Sequence, residues 1–228
     1  MGSHILTALA VIGAYLIGAI PFGFLIGKMR GVDVRTVGSK NIGATNVFRT
    51  VGKKWGLIAF ACDFLKGYLP TLVCTVLVAR SQACAAQAAE GASPSCALPL
   101  WLPLAVGVAC VIGHMLTPYM KFKGGKGVAT AFGMLVALVP GLVGIAFLVF
   151  AVFFGFSHFI SLGSCAAAAF LAVGVWVQEY VLFGTGRLAM CILITFIAIF
   201  VIWKHRSNIK RLVKGEENKI YLFGKPTA

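Results

Sequence analysis

The stretch 128-VATAFGMLVALVPGLVGIAFLVFAVFFGFSHFISLGS-164 is apolar for almost its whole length, and the number of times it crosses a bilayer decides the fold. Pro140-Gly141 and Gly155-Phe156-Ser157-His158 interrupt it. Nearly all-apolar sequence continues to Trp203, with a further break at Gly184-Thr185-Gly186-Arg187. About 20 apolar residues span a bilayer, so length alone divides Val128–Trp203 into three spans. The flanking charges argue otherwise. Lys121, Lys123 and Lys126 precede the run, and Lys204, Arg206, Lys210 and Arg211 follow it. Basic clusters mark the cytoplasmic side of a membrane. Both flanks on one side require an even number of crossings, and two are too few for the length. The expectation is four short spans, Val128–Val139, Leu142–Phe156, Cys165–Phe183 and Leu188–Trp203, with Ser157–Ser164 returning to the cytoplasmic face.

Three more apolar runs lie upstream: Ile5–Gly27, Trp55–Ala79 and Leu100–Tyr119. The first is too long for a cleaved signal and has no small-residue cleavage site before the next charge. The fold class expected is an all-α integral membrane protein with seven transmembrane helices, some short or broken. Its N-terminus is outside, its C-terminus is cytoplasmic, and residues 1–228 form a single membrane-embedded domain. Composition agrees, with 60% hydrophobic and 11% charged residues, where soluble domains carry about 25% charged. The net charge of +14 does not indicate a nucleic-acid partner, because seventeen of the 20 Lys and Arg fall in the expected cytoplasmic loops. No Cys or His pair has zinc-ligand spacing, so no metal is expected. Cys84 and Cys96 flank the polar loop Arg80–Pro99 and can pair if that loop faces an oxidising compartment. Asp63 and Lys66 stand three apart on one helix face and read as a structural ion pair rather than a substrate contact.

Three polar islands interrupt the apolar sequence, and the topology puts them all on the cytoplasmic side together with Ser161 and Ser164. The first is Val37–Gly52, VGSKNIGATNVFRTVG, with Ser39, Asn41, Asn46 and Arg49 around a short helix expected at Asn41–Val51. Each residue alone has a structural reading: Ser39 as a helix N-cap, the two Asn as turn partners, Arg49 as a headgroup contact. Together they favour an anion site beside the membrane. The second is Lys121–Gly127, in which Gly124-Gly125-Lys126-Gly127 lets backbone N–H groups approach a phosphate and then starts a helix. It lacks the spacing of a Walker A loop. The third is Lys204–Glu217, where His205 and Asn208 share one helix face and can orient a hydroxyl or stabilise developing charge. Glu216 and Glu217 read as ion-pair ties for the tail.

No His has an Asp five residues later and no Gly-x-Ser-x-Gly elbow occurs, so both the His-Asp motif that serves thioester donors and the serine nucleophile elbow are missing. A sparse catalytic set suits a substrate that is already activated. A transporter for a small organic phosphate is the competing class, since basic islands and broken helices also suit carriers. Against it stand the one-sided islands and the lack of an internal repeat.

The segments GSKNIGATNVFRTVGKKWG, GHMLTPYMKFKGGKGVAT and HRSNIKRLVKGEENKI, in this order, resemble the acyl-phosphate:glycerol-3-phosphate acyltransferase (PlsY) family of bacterial membranes. One position departs: the family reads Ser-Gly-Asn-Ile-Gly where this chain has Lys40. The resemblance implies transfer of a fatty acyl group from acyl phosphate to the sn-1 hydroxyl of glycerol 3-phosphate. The products are 1-acylglycerol 3-phosphate (lysophosphatidate) and phosphate, in the first step of bacterial phospholipid synthesis. It implies a multi-pass protein of the inner membrane with its active site on the cytoplasmic face, among membrane lipid and without a cofactor. A monomer is compatible with that picture. On matching positions it makes Ser39, Arg49, His205 and Asn208 catalytic. Lys123, Gly124, Gly125, Lys126, Gly127, Ser161 and Ser164 become substrate contacts, to which the first island's own composition adds Asn41 and Asn46. Gly133, Gly141 and Gly144 are expected to leave room for the acyl chain between helices.

Overall fold

A computed structural model describes residues 2–87 and 97–221, and among these every regular element is helical. The chain divides into two compact units, Met1–Leu138 and Val139–Ala228.

Among the described residues the first unit holds six α-helices, α1 Gly2–Ala19, α2 Phe22–Met29, α3 Ala44–Thr50, α4 Lys53–Gln87, α5 Leu102–Met115 and α6 Val128–Leu138, and a 3-10 turn at Pro118–Met120. Pro21 separates α1 from α2, because its ring removes an N–H and blocks a regular helix. Lipid offers no hydrophobic drive between helices, so close approach through small residues holds them together. A β-carbon at Gly18 would stand 2.2 Å from the Cys110 carbonyl, and one at Gly113 2.2 Å from that of Tyr15, which seats α1 on α5. Gly67 and Gly133 do the same for α4 and α6, against Thr130 and Phe64 carbonyls at 2.1 Å each. Gly133 therefore does not leave room for an acyl chain; its space is taken by α4. Gly141 and Gly144 do face open space.

The second unit holds α7 Pro140–Ser157, α8 Ile160–Trp176, a π-helical turn Val177–Leu182, α9 Leu188–Lys204 and α10 Arg206–Val213. Pro140 occupies the first turn of α7, where its missing N–H costs nothing. His158, in left-handed conformation (φ 62°), ends α7.

Several expected boundaries move. The helix expected at Asn41–Val51 is the shorter α3, and its N-cap is Gly43, not Ser39. The span expected to end at Ala79 continues to Gln87, taking the first part of the Arg80–Pro99 loop into helix. Cys96 lies outside the described residues, and its pairing with Cys84 with it. Ser161 and Ser164 sit in α8 rather than in a loop. Among the described residues, five helical segments have the length and apolarity to cross a membrane: His4–Met29, Lys53–Gln87, Leu102–Met120, Pro140–Ser157 and Ile160–Leu182. Leu188–Lys204 with Arg206–Val213, bent by 53°, makes up to six, and Val128–Leu138 is a shorter apolar helix.

Candidate active site

The first island is a loop built around one asparagine. Asn46 is 1% exposed. Its Nδ2 donates to the carbonyls of Val34 (2.8 Å) and Val37 (3.2 Å), and its Oδ1 accepts the Ser39 N–H (2.9 Å). A β-carbon at Gly38 would meet that same Oδ1 at 2.3 Å, and Gly38 has φ +59°, so only glycine fits there. Asn41 Oδ1 accepts the Gly43 N–H at 2.8 Å and closes the turn before α3. Both asparagines, expected as substrate contacts, thus spend polar atoms on the loop itself; for Asn46 both amide hydrogens are committed. This leaves Ser39 exposed at the loop's edge, and its hydroxyl makes no hydrogen bond among the described residues. Arg49 lies in the last turn of α3. Ahead of the loop, Arg35 hydrogen-bonds Asp33 at 2.6–3.2 Å and holds that exposed carboxyl down to about 2.

The second island rests on the same apolar floor. Ile26, Val34, Ile42, Val47 and Ala59 form a buried cluster, and Met120, just before the second island's lysines, packs against it. Folding therefore brings the first two islands together. The second-island glycines serve a different purpose from the one their sequence suggests. The Gly124 N–H donates to the Met115 carbonyl (3.0 Å) and the Gly125 N–H to that of His114 (3.1 Å), so the last turn of α5 takes both amides. These N–H groups are not presented to a ligand. The glycines are required because β-carbons at 124 and 125 would stand 2.0 Å from the His114 carbonyl and 2.1 Å from its Nε2. Gly127, at φ +79°, leads into α6. Lys123 is exposed and Lys126 half-buried on either side of the glycines.

In the second unit the hub is a residue expected only as a tie. Glu217 is buried, and its Oε1 accepts from Asn208 Nδ2 (2.7 Å) and Ser161 Oγ (3.3 Å), while Oε2 accepts from Arg211 Nε (2.8 Å). One carboxylate thereby joins α8, α10 and the segment after α10. Ser164, one turn along α8 from Ser161, is also buried. His205 and Asn208 do not share a continuous helix. His205 is the joint between α9 and α10, and Asn208 lies beyond the 53° bend. The His205 Nδ1–H donates to the Val201 carbonyl at 2.8 Å. In a neutral ring this leaves Nε2 as the basic nitrogen.

Two features were not read from the sequence. Glu179, fully buried in the π-helical turn, accepts from Arg187 Nε (2.8 Å) and Nη2 (2.7 Å) and from the Thr185 hydroxyl, which accounts for the Gly-Thr-Gly-Arg break. The hydrogen bond to Glu179 raises the Arg187 pKa. An apolar cleft of about 310 Å3 opens beside Val152, Phe153, Phe156, Ser157 and Leu162. No group of three or more His, Cys, Asp or Glu able to hold a metal occurs among the described residues.

Residues 8–215 match the model of the family Glycerol-3-phosphate acyltransferase. The chain is 43% identical over 204 residues to the Glycerol-3-phosphate acyltransferase of Desulfotalea psychrophila, covering 90% of this chain and 93% of that protein. It is 39% identical over 209 residues to that of Aquifex aeolicus, covering 92% and 96%. Among solved structures it resembles PlsY (YgiH), an integral membrane glycerol 3-phosphate acyltransferase, in its glycerol 3-phosphate form. That match has a TM-score of 0.79 and 36% identity, over 94% of this chain and 96% of the other. The lysophosphatidic acid form matches with a TM-score of 0.74 and 34% identity, over 94% and 95%. A helical membrane fold, a loop built to expose a serine beside a basic glycine loop, and this likeness over nearly the full length agree: the chain belongs to the glycerol-3-phosphate acyltransferase family and is an enzyme of the PlsY type.

Proposed function

We propose that the enzyme takes its acyl group from a fatty acyl phosphate and places it on the sn-1 hydroxyl of glycerol 3-phosphate. The hydroxyl oxygen forms an ester bond to the acyl carbon as the carbon–oxygen bond of the mixed anhydride breaks. The hydroxyl proton leaves with the departing phosphate, giving 1-acylglycerol 3-phosphate and inorganic phosphate. The observation that carries this reading is Ser39. Its hydroxyl has no hydrogen-bonded base among the described residues, so it is not built as a covalent nucleophile. An acyl phosphate needs none, because phosphate is already a good leaving group. The names of the two similar solved structures, a glycerol 3-phosphate form and a lysophosphatidic acid form, supply a matching substrate and product.

In this mechanism the difficulty is charge. Two unit charges 4 Å apart near a protein surface repel by about 4 kcal/mol, and both substrates are polyanions. Arg49, Lys123 and Lys126 offset that repulsion. Ser39 anchors a phosphate, and Asn41 and Asn46 shape the loop that presents it. Gly124, Gly125 and Gly127 hold the basic loop against α5. His205 and Asn208 orient the attacking hydroxyl, and Ser161 and Ser164 belong to the phosphate contacts. The acyl chain lies against the lipid-facing surface, where the apolar cleft by Phe153 and Phe156 suits it.

The topology belongs to the same proposal. Val128–Leu138 and the bent Leu188–Val213 pair complete seven crossings, with the N-terminus outside, the C-terminus inside and the chemistry at the cytoplasmic face of a bacterial inner membrane. Residues 1–228 act as one acyltransferase domain, at the first step of phospholipid synthesis.

The test is an assay of purified enzyme with acyl phosphate, acyl-CoA and acyl carrier protein offered separately. Acyl phosphate alone supports the reaction; preferential use of either thioester overturns the donor assignment. Mass spectrometry finds no acyl adduct on Ser39 during turnover, and trapping one overturns its anchoring role.

A further inference from the structure

Behind the second-island loop lies a buried polar chain that the mechanism above does not use. Lys66 Nζ donates to the Ile20 carbonyl at 2.9 Å, at the break between α1 and α2. The same ammonium pairs with Asp63 Oδ1 at 2.7 Å, and both side chains are 2% exposed. Asp63 Oδ1 stands 3.5 Å from His114 Nδ1, an electrostatic contact longer than a hydrogen bond. His114 is buried in the last turn of α5, and the loop lies against it twice. Its carbonyl accepts the Gly125 N–H, and its Nε2 occupies the place a Gly125 side chain would take, 2.1 Å from a β-carbon there. Ionisable groups inside a membrane helix bundle are costly and persist where they serve a purpose. Here the chain ends on the backbone that carries Lys123 and Lys126.

Resting on the reaction proposed above, we infer that His114 is a positioning residue for glycerol 3-phosphate, with Asp63 holding its ring in place. The imidazole fills the space beneath Gly125, and the Asp63 carboxylate, paired with Lys66, faces the opposite ring nitrogen across 3.5 Å. Tilting the ring moves the loop, and with it the two lysines, without touching the acyl donor. Gly125 and His114 act as one unit. A side chain at 125 displaces the ring, and removal of the ring leaves the loop held to α5 by its two backbone hydrogen bonds alone.

The experiment compares purified wild type with His114→Gln, Asp63→Asn, His114→Ala, Gly125→Ala and the His114→Ala/Gly125→Ala double variant. His114→Gln and Asp63→Asn raise KM for glycerol 3-phosphate by about 10-fold or more, because small misplacements of a binding group are expensive. KM for acyl phosphate and kcat change by less than about 3-fold, the signature of lost binding to one substrate. In the double variant the KM increase is smaller than the product of the two single effects. Isothermal titration with glycerol 3-phosphate alone gives a Kd that rises in step with KM. That arm is independent of the donor, whereas a wild type inactive with acyl phosphate sinks the reaction itself. The inference is overturned by unchanged KM and Kd in His114→Gln and Asp63→Asn, or by equal shifts in KM for both substrates. It is also overturned if the His114→Ala and Gly125→Ala effects multiply, or if size exclusion shows that every variant aggregates, which makes the cluster a matter of folding alone.

Discussion

At the scale of single residues, Lys40 shows how a backbone angle changes the meaning of a letter. It departs from the family's Gly-containing pattern, and its φ of +56° lies in the left-handed region that favours glycine. Lys40→Gly relieves that strain while adding unfolded-chain entropy, so it raises stability by up to about 1 kcal/mol. Thermal unfolding in detergent reads this directly, and a lower midpoint contradicts it. Asn46 behaves in the opposite way. Asn46→Ala strands the Ser39 N–H and the Val34 carbonyl, costing about 1–3 kcal/mol and lowering kcat as Ser39 loses its seat. From the sequence, Asn46 taken singly reads as a turn partner and, taken with Ser39, Asn41 and Arg49, as part of an anion site. Only the three hydrogen bonds decide between them.

At the scale of elements, glycines that look alike in sequence have opposite roles. Gly133 is pressed against the Phe64 carbonyl of α4, and Gly144 faces open space. Gly133→Leu forces α6 away from α4 and costs about 1–3 kcal/mol or more, whereas Gly144→Leu is tolerated; the two melting midpoints separate accordingly. Hydropathy cannot distinguish them, since lipid-facing and helix-facing positions are equally apolar in a membrane protein. A single carboxylate ties α10 to α8. Glu217→Gln keeps its shape but weakens the bonds from Asn208, Ser161 and Arg211. The expected cost is about 1–3 kcal/mol, with kcat falling alongside because Asn208 loses its orientation. An unchanged kcat disconnects Glu217 from the site. The sequence marked His205 and Asn208 by their spacing, and the 53° bend breaks the helical face that spacing assumes.

At the scale of the whole molecule, the charge distribution makes a claim about sides of the membrane. If the seven-crossing arrangement holds, Ser39→Cys and Lys214→Cys react with a membrane-impermeant maleimide only after permeabilisation. Cys84, which is exposed, reacts in intact cells. Labelling of positions 39 and 214 from opposite sides removes the even-crossing argument and the topology with it. The carrier alternative loses ground at this scale as well. Asp63 and Lys66, the charges that reading offered for a polar site within the bundle, are paired with each other, and Lys66 also donates to the Ile20 carbonyl.

By itself, the sequence determined that this is a helical membrane protein, where its apolar runs and breaks lie, and which polar segments are candidates for the chemistry. Those properties are sums over neighbouring residues: apolar length, basic excess, and the residue types within one island. Tertiary structure alone decided which polar atoms are spent on the fold and which remain for a substrate. It turned the glycine loop's amides from ligand donors into partners of α5, made Glu217 a hub, and set His114 beneath Gly125. Each of these depends on groups brought together by helix packing, and neither hydropathy nor spacing along the chain records such contacts.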